Sequence, residues 1–347
     1  MDMADVDTPD SHRRVVVRPG DTVVLVRAIV VEEPGGPDVL ALHDVPDPAV
    51  RPGDLLIRVA AAGLNRADLL QRVGHYPPPP GAPEWLGMEV SGTVVVGTAD
   101  VPAGSRVAAL LGGGGYAELV AVPAELALVV PDALTDRDAA ALPEALATVW
   151  SNFEAAHLAA RQTVLVRGGS GGVGSVAVQV AREHYGAHVL ATAGGPERVE
   201  RLRELGVDVA LDHHADDLVE QVLAATDGRG VDVVLDVVGA AALADNLAML
   251  ADGGRLVVIG MQKGRRAELD LAALMNRRAS VIGTTLRSRA PDDKARVMAG
   301  VREDLWPLVA AGRIRPIVHA TFPLARAADA HRLLESGAVF GKVLLEP

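Results

Sequence analysis

The sequence predicts an α/β protein in which a doubly wound parallel sheet is joined to a second, β-rich domain. Three observations predict it. Downstream of Thr135, continuous Val, Leu and Ile runs alternate with helical stretches, the pattern of a parallel sheet covered on both faces. Between the first of those strands and its helix lies a run of glycines, from Gly168 to Gly174. Upstream, from Arg27 to Leu128, short apolar runs are cut by Gly and Pro at the roughly 8–12-residue spacing of antiparallel β structure. At 347 residues, 49% of them apolar, the chain also exceeds what one core usually organises.

The elements follow in order. Residues 1–26 are polar and aperiodic and read as a loose arm. Strands are expected over residues 28–31, 55–62, 90–96, 106–111 and 117–122, and an Ala-rich helix over 138–160. The parallel sheet then takes strands at 163–166, 188–192, 207–211, 231–238, 255–260 and 280–286. Helices at 172–185, 197–205, 216–226 and 240–250 connect them, the first two closed by Gly186 and Gly206. From Pro291 the tail reads as a helix and short strands too small to fold alone, so it is expected to pack back on the β-rich domain. That domain is then discontinuous, residues 27–145 with 290–347, around a central domain of residues 146–289.

Charge and composition narrow the function. Lys plus Arg number 33 against 45 Asp plus Glu, a net −12, and no basic run is long enough to offset it. Such a chain repels nucleic-acid phosphates and anionic membrane surfaces. Aromatic residues make up 3%, too few for stacked base platforms. There is no Cys, which excludes disulfides, thiolate nucleophiles, iron–sulfur clusters and Cys-ligated zinc. Met1 to Asp10 carries four Asp and no Lys or Arg, unlike a secretory signal. Apolar runs such as Val23 to Val26 fall far short of the ~20 residues that span a bilayer. The expected location is the cytoplasm.

Gly169-x-Gly171-x-x-Gly174 follows a buried strand and opens a helix. In that context a tight turn aims backbone N–H groups and the helix's positive end at a pyrophosphate. Two other readings compete. One is a turn serving only helix–strand packing. The other is a hydrolase nucleophile elbow, because Gly168-x-Ser170-x-Gly172 fits that pattern too, with Asp236 and His319 following in the right order. An elbow normally sits deeper in the strand order, and only the glycines at 112–115 offer any oxyanion motif. The second strand bears on the cofactor. An NAD site expects a carboxylate at its end for the ribose 2′-hydroxyl, and here that place reads Thr192-Ala193-Gly194-Gly195. Arg198 follows within reach of a 2′-phosphate, which favours NADPH. The competing reading has Arg198, Arg201 and Arg203 solvating a helix face beside Glu197.

The segments Gly63-Leu64-Asn65-Arg66-Ala67-Asp68-Leu69-Leu70-Gln71-Arg72 and Gly74-His75-Tyr76-Pro77-Pro78-Pro79-Pro80-Gly81 are more specific than the glycine pattern. So are Leu86 to Gly92, Gly113 to Glu118, Leu142-Pro143-Glu144-Ala145, Thr285 to Arg289 and Gly341-Lys342-Val343. Across Arg27 to Pro347 the chain resembles the zinc-free quinone oxidoreductases of the medium-chain dehydrogenase/reductase superfamily, nearest to the tumour-suppressor-inducible branch. The resemblance implies a Rossmann domain plus a β-rich GroES-like catalytic domain. Zinc-using relatives carry a Cys where Asn65 stands and a His where Met88 stands, so the resemblance implies catalysis without metal.

It further implies NADPH-dependent hydride transfer to the β-carbon of a quinone or other conjugated carbonyl, the oxyanion being met by hydrogen-bond donors. Asn65 would lie near the nicotinamide, and Tyr76 would line the substrate cleft and donate from its phenol. The competing readings are a packing ring for Tyr76 and a turn-former for Asn65. His75 is a weaker proton-donor candidate, and Asp68 is expected to orient local backbone. Cofactor contacts would fall on Asn65, Thr148, Gly171, Gly172, Val173, Gly194, Arg198, His213, Val238, Gly260, Met261, Leu286 and Lys342. Where Gly195, Arg198 and His213 stand the family usually has Ser or Thr, Lys and Tyr, so NADPH preference would be relaxed. The resemblance also suggests a homodimer, since the strand at 280–286 would otherwise leave an apolar edge. The main alternative is an enoyl or 2-alkenal reductase acting on a biosynthetic intermediate. The remote ones are the Ser170 hydrolase and a non-catalytic NADPH- or RNA-binding protein, the latter needing a basic patch.

Overall fold

The structure is a computed structural model that describes residues 25–347. Most of the expected arm, residues 1–24, lies outside the described residues. Its last two residues, Leu25 and Val26, are not arm but the start of a strand, β1 (Leu25–Val31), paired antiparallel with β2 (Leu40–Pro46).

β3 (Asp54–Gly63) is the axis of the first sheet. Leu55, Ile57 and Val59 are buried on one face, the period of two that the sequence shows, until an irregularity after Val59 turns Ala62 to that core and Ala61 away from it. α1 (Arg66–Arg72) follows it, then β4 (Glu89–Val96), β5 (Arg106–Leu110), β6 (Leu119–Pro123) and β7 (Ala127–Val129). The expected helix at 138–160 is two helices, α2 (Asp136–Ala140) and α3 (Pro143–Ala155). Pro143 breaks them apart, because a residue without N–H and with fixed φ fits only the first turn of a helix.

The second sheet is built from β8 (Thr163–Val166), β9 (His188–Ala193), β10 (Val209–Asp212), β11 (Val231–Asp236), β12 (Leu250–Val258) and β13 (Ser280–Gly283). Its order is β10-β9-β8-β11-β12-β13 with every pairing parallel, the arrangement of a doubly wound dinucleotide-binding sheet. The helices between are α4 (Gly172–Glu183), α5 (Pro196–Glu204), α6 (Leu218–Ala224), α7 (Leu243–Met249) and α8 (Leu271–Asn276), the last not anticipated from sequence. Val164 and Val166 pack with Val176 and Val180 on one face, while Leu165 packs with Leu218, Val222 and Leu247 on the other. Each such buried side chain contributes about 1.5–3 kcal/mol, so β8 is held from both sides. β11 stops at Asp236 rather than at 238, because the Asp236 carboxylate accepts from the N–H groups of Val238 (3.0 Å) and Gly239 (2.9 Å) and turns the chain. β13 ends at Gly283, short of the expected 286, and releases the following residues toward the first domain.

The tail is larger than expected, with α9 (Pro291–Gly300), α10 (Trp306–Ala310), β14 (Val318–Pro323), α11 (Ala327–Glu335) and β15 (Lys342–Glu346). β15 pairs antiparallel with β3 through Leu344–Gly63 and Leu345–Ala62, and so completes a seven-stranded sheet with strands from both ends of the described chain. No helix of the described residues is long and apolar enough to cross a membrane.

Candidate active site

The glycine turn is stitched to the end of β9. The N–H of Gly168 donates to Thr192 Oγ1 (3.1 Å) and that of Gly169 to the Thr192 carbonyl (2.8 Å). The glycines divide by role. A Cβ on Gly174 would sit 2.1 Å from the Gly168 carbonyl oxygen, so Gly174 exists for close packing. A Cβ on Gly171 would meet nothing nearer than 3.5 Å. Gly171 caps α4 and donates its own N–H to the Gly168 carbonyl (3.1 Å), and Gly171, Gly172 and Val173 are partly exposed at the helix start, where first-turn N–H groups have no partner within the helix. That cradle fits a pyrophosphate.

Beyond the end of β9, Gly194 and Gly195 lead into α5. Arg198, partly exposed in the first turn, has no hydrogen bond or ion pair among the described residues. Its neighbours are engaged: Arg203 pairs with Glu200, and the Arg201 guanidinium lies 3.9 Å over the Phe340 ring. The exposed His213 ring borders Gly194, where a Cβ would come within 2.9 Å of it. Sequence reading missed one group here. On β10, Asp212 accepts from Gly195 N–H (3.2 Å) and His214 N–H (3.0 Å), which fixes the chain where it leaves β9. Those bonds hold its carboxyl below the usual range.

Val238 and Gly260 lie partly exposed where the chain leaves β11 and β12, Met261 is 61% exposed beside them, and Leu286 is buried. Thr148 is partly exposed on α3. The tail closes over the glycine turn, with Gly341 N–H donating to the Ser170 carbonyl at 2.8 Å. Lys342 follows. Its stem covers Gly172, and its Nζ donates to the Leu64 carbonyl (2.7 Å), to Asn65 Oδ1 (2.7 Å) and to Glu89 Oε1. Asn65 Nδ2 also donates to Glu89 Oε1, at 2.9 Å. Asn65 heads α1, with its N–H held by Asp68 Oδ2 at 2.7 Å, so Asp68 does orient the backbone there.

Tyr76 is partly exposed and His75 exposed on the proline-rich loop. Arg287, only 4% exposed, pins that loop: it donates to the Tyr76 carbonyl (3.1 Å), Gly112 carbonyl (2.8 Å) and Gln71 Oε1 (2.7 Å), with its guanidinium 5.3 Å from the Tyr76 ring. A small cleft of about 60 Å³ runs between Tyr76, Pro77, Pro79, Arg287 and Ser288.

Two family descriptions match the chain: an alcohol dehydrogenase GroES-like domain over residues 51–132 and a zinc-binding dehydrogenase over residues 172–301. A rat quinone oxidoreductase is 32% identical over 92% of this chain and 98% of its own length. The chain belongs to the medium-chain dehydrogenase/reductase superfamily. It is also 34% identical, over 91% of its length, to a phenolphthiocerol/phthiocerol polyketide synthase component of Mycobacterium tuberculosis, and spans 14% of that longer protein. Among solved structures, a mycobacterial protein in complex with NADPH superposes with a TM-score of 0.82 at 32% identity, covering 93% of this chain and 100% of that one. The CurK enoyl reductase superposes at 0.81 and 26% identity, covering 92% and 99%.

The side chains at Asn65 and Met88 do not fit a metal. Among the described residues no group of three or more His, Asp or Glu is placed to hold a metal ion. The Asn65 amide is committed to Lys342 and Glu89, while Met88 is buried. The hydrolase alternative fails too: Asp236 is spent on its own turn, His319 Nδ1 accepts from Phe340 N–H, and no hydrogen bond joins Ser170 to either. Sequence reading assigned no role to Arg287, Glu89 or Glu144. Their only signal was membership of the segments that carry the family resemblance.

Proposed function

We propose that this protein reduces conjugated carbonyl compounds, quinones or enones, with NADPH and without a catalytic metal. One observation carries the reading: Lys342 lies along the glycine cradle and locks the Asn65 side chain beside it. When bound, NADPH supplies a hydride from its nicotinamide. Gly171, Gly172 and Val173 hold the pyrophosphate. Arg198 takes the 2′-phosphate and His213 borders the adenine, with Asp212 occupied by backbone donors. Thr148, Val238, Gly260, Met261 and Leu286 line the remainder of the crevice.

On the substrate side, the Asn65 amide cannot flip, because Oδ1 accepts from Lys342 and one Nδ2 hydrogen goes to Glu89. Its second Nδ2 hydrogen is left to meet a developing oxyanion. The Tyr76 ring, backed by Arg287, covers a flat acceptor while its hydroxyl donates. NADPH oxidation by the purified protein with naphthoquinone, benzoquinone and 2-alkenal acceptors tests the proposal, and no oxidation with any of them would defeat it.

The second reading is an enoyl reductase acting on a biosynthetic acyl intermediate. The likeness to a stretch of a polyketide synthase and to CurK favours it. Faster turnover of an enoyl thioester than of any quinone would select it. In either case a homodimer is the expected assembly: β13 ends the parallel sheet with Val281 41% exposed, and α8, which precedes it, exposes Leu271 (63%) and Met275 (73%), apolar surface for a second copy to cover. A monomer by sedimentation would contradict it.

A further inference from the structure

Glu144 stands one residue after Pro143 in the first turn of α3, and neither the cofactor cradle nor the Asn65 cluster uses its side chain. Its N–H donates to Glu89 Oε2 at 3.0 Å, while Glu89 Oε1 receives Asn65 and Lys342. The start of α3 is thereby fixed against the cluster that orients Asn65. Along the helix Pro143, Ala145, Leu146, Ala147 and Val149 are buried, whereas Glu144 and Thr148 are partly exposed. Four residues apart, these two lie one turn from each other on the same, partly exposed face of α3.

The Glu144 carboxyl has no hydrogen-bond or ion-pair partner among the described residues. Charges face it from every side: Glu89 on β4, Asp68 on α1, Lys342 on β15, Arg287 beyond β13 and Lys294 on α9. Burial, and then the neighbouring Glu89 charge, pushes its pKa up to about 8, against the pull of Lys342 and Arg287. A carboxyl that keeps its proton at neutral pH, with no protein acceptor to give it to, is placed to give it to a substrate.

We infer that Glu144 is the general acid of the reduction, donating its proton to the carbonyl oxygen of the conjugated substrate. The inference rests on the proposed function. As hydride adds to the β-carbon, the C=C electrons shift to form the enol double bond and the carbonyl π pair moves onto oxygen, which takes the Glu144 proton. The substrate gains two electrons and NADPH becomes NADP⁺. The enol then tautomerises, and water in the crevice returns a proton to the carboxylate. Lys342, Arg287 and Lys294 stabilise that carboxylate in the interval.

The test compares wild type with Glu144→Gln and Glu144→Asp at saturating NADPH and 2-alkenal, reading kcat against pH, NADPH affinity by fluorescence, and thermal unfolding. The expected result for Glu144→Gln is unchanged NADPH affinity, a kcat lower by about a hundredfold, and loss of the wild-type decline above pH 8. Glu144→Asp, still an acid, keeps that decline at intermediate rate. A Glu144→Gln kcat within about threefold of wild type with the alkaline decline intact overturns the inference, as does a fall in rate matched by lost NADPH affinity in both variants. A wild type inert toward all conjugated carbonyls defeats the proposed function instead, so the two failures are distinguishable.

Discussion

The Lys342 ammonium donates to Asn65 Oδ1 at 2.7 Å across 277 positions of sequence. Lys342 is 4% exposed and its other partner, Glu89, is fully buried. Lys342→Met leaves that carboxylate without its cation, and the expected cost is about 3–5 kcal/mol in denaturant unfolding. The Asn65 amide then keeps only its bond to Glu89, so kcat falls as well. Adding Glu89→Gln removes the stranded charge: stability recovers in the double variant while kcat does not, a split that a purely structural role would not give.

Arg198 is the one arginine of α5 without a partner among the described residues. Arg198→Ala removes a charge-assisted bond to the 2′-phosphate, and the expected rise in KM for NADPH is about tenfold or more. KM for NADH, which has no such phosphate, stays within error of wild type. Equal changes for both cofactors would take Arg198 out of the site.

Two glycines three residues apart should respond in opposite ways. Gly174→Ala drives a methyl to 2.1 Å from the Gly168 carbonyl oxygen and lowers the unfolding temperature sharply. Gly171→Ala meets nothing closer than 3.5 Å and leaves unfolding unchanged, yet its methyl occupies the approach of the pyrophosphate and weakens NADPH binding. Calorimetry and fluorescence titration of the two variants check this.

His331 is buried between Arg72, which donates to Nδ1 (3.2 Å), and the Tyr116 hydroxyl (3.3 Å from Nε2). Burial, and then the Arg72 charge, pulls its pKa down from 6.5 to about 3. The folded state therefore binds fewer protons than the unfolded chain in that window. The stability gained from the neutral ring is complete above pH 6.5 and lost as pH falls toward 3. Asp68, pushed up to about 6 by burial, takes its proton earlier in the folded state and opposes this trend. It is common to both proteins and largely cancels in a comparison with His331→Gln. The advantage of wild type over that variant in urea midpoint shrinks from pH 6.5 downward.

The strand–helix alternation was legible because a parallel strand buried on both faces is a continuous apolar run, as in Thr163–Val166 and Val231–Asp236. β2 was not: its burial is mostly exposed or intermediate, so no apolar period marks it. α8 escaped for the same reason, having no buried residue. In the site, the glycine turn announced itself through local spacing, and Asn65 through the family resemblance of the segment that carries it. Arg287 and Asp212 did not, because what they do depends on carbonyls and N–H groups contributed by distant loops.

By itself the sequence determined the doubly wound sheet, the glycine turn between its first strand and helix, and the lack of any thiolate, since each is a matter of residue type and short-range order. Only the tertiary structure decided what stands beside Asn65. The pairing of β15 with β3 brings Lys342 to it, and the break at Pro143 aims α3 so that Glu144 meets Glu89. Burial then sets the charge states of these groups, because a carboxyl or an ammonium removed from water is governed by its nearest partners, and those partners are chosen by the fold.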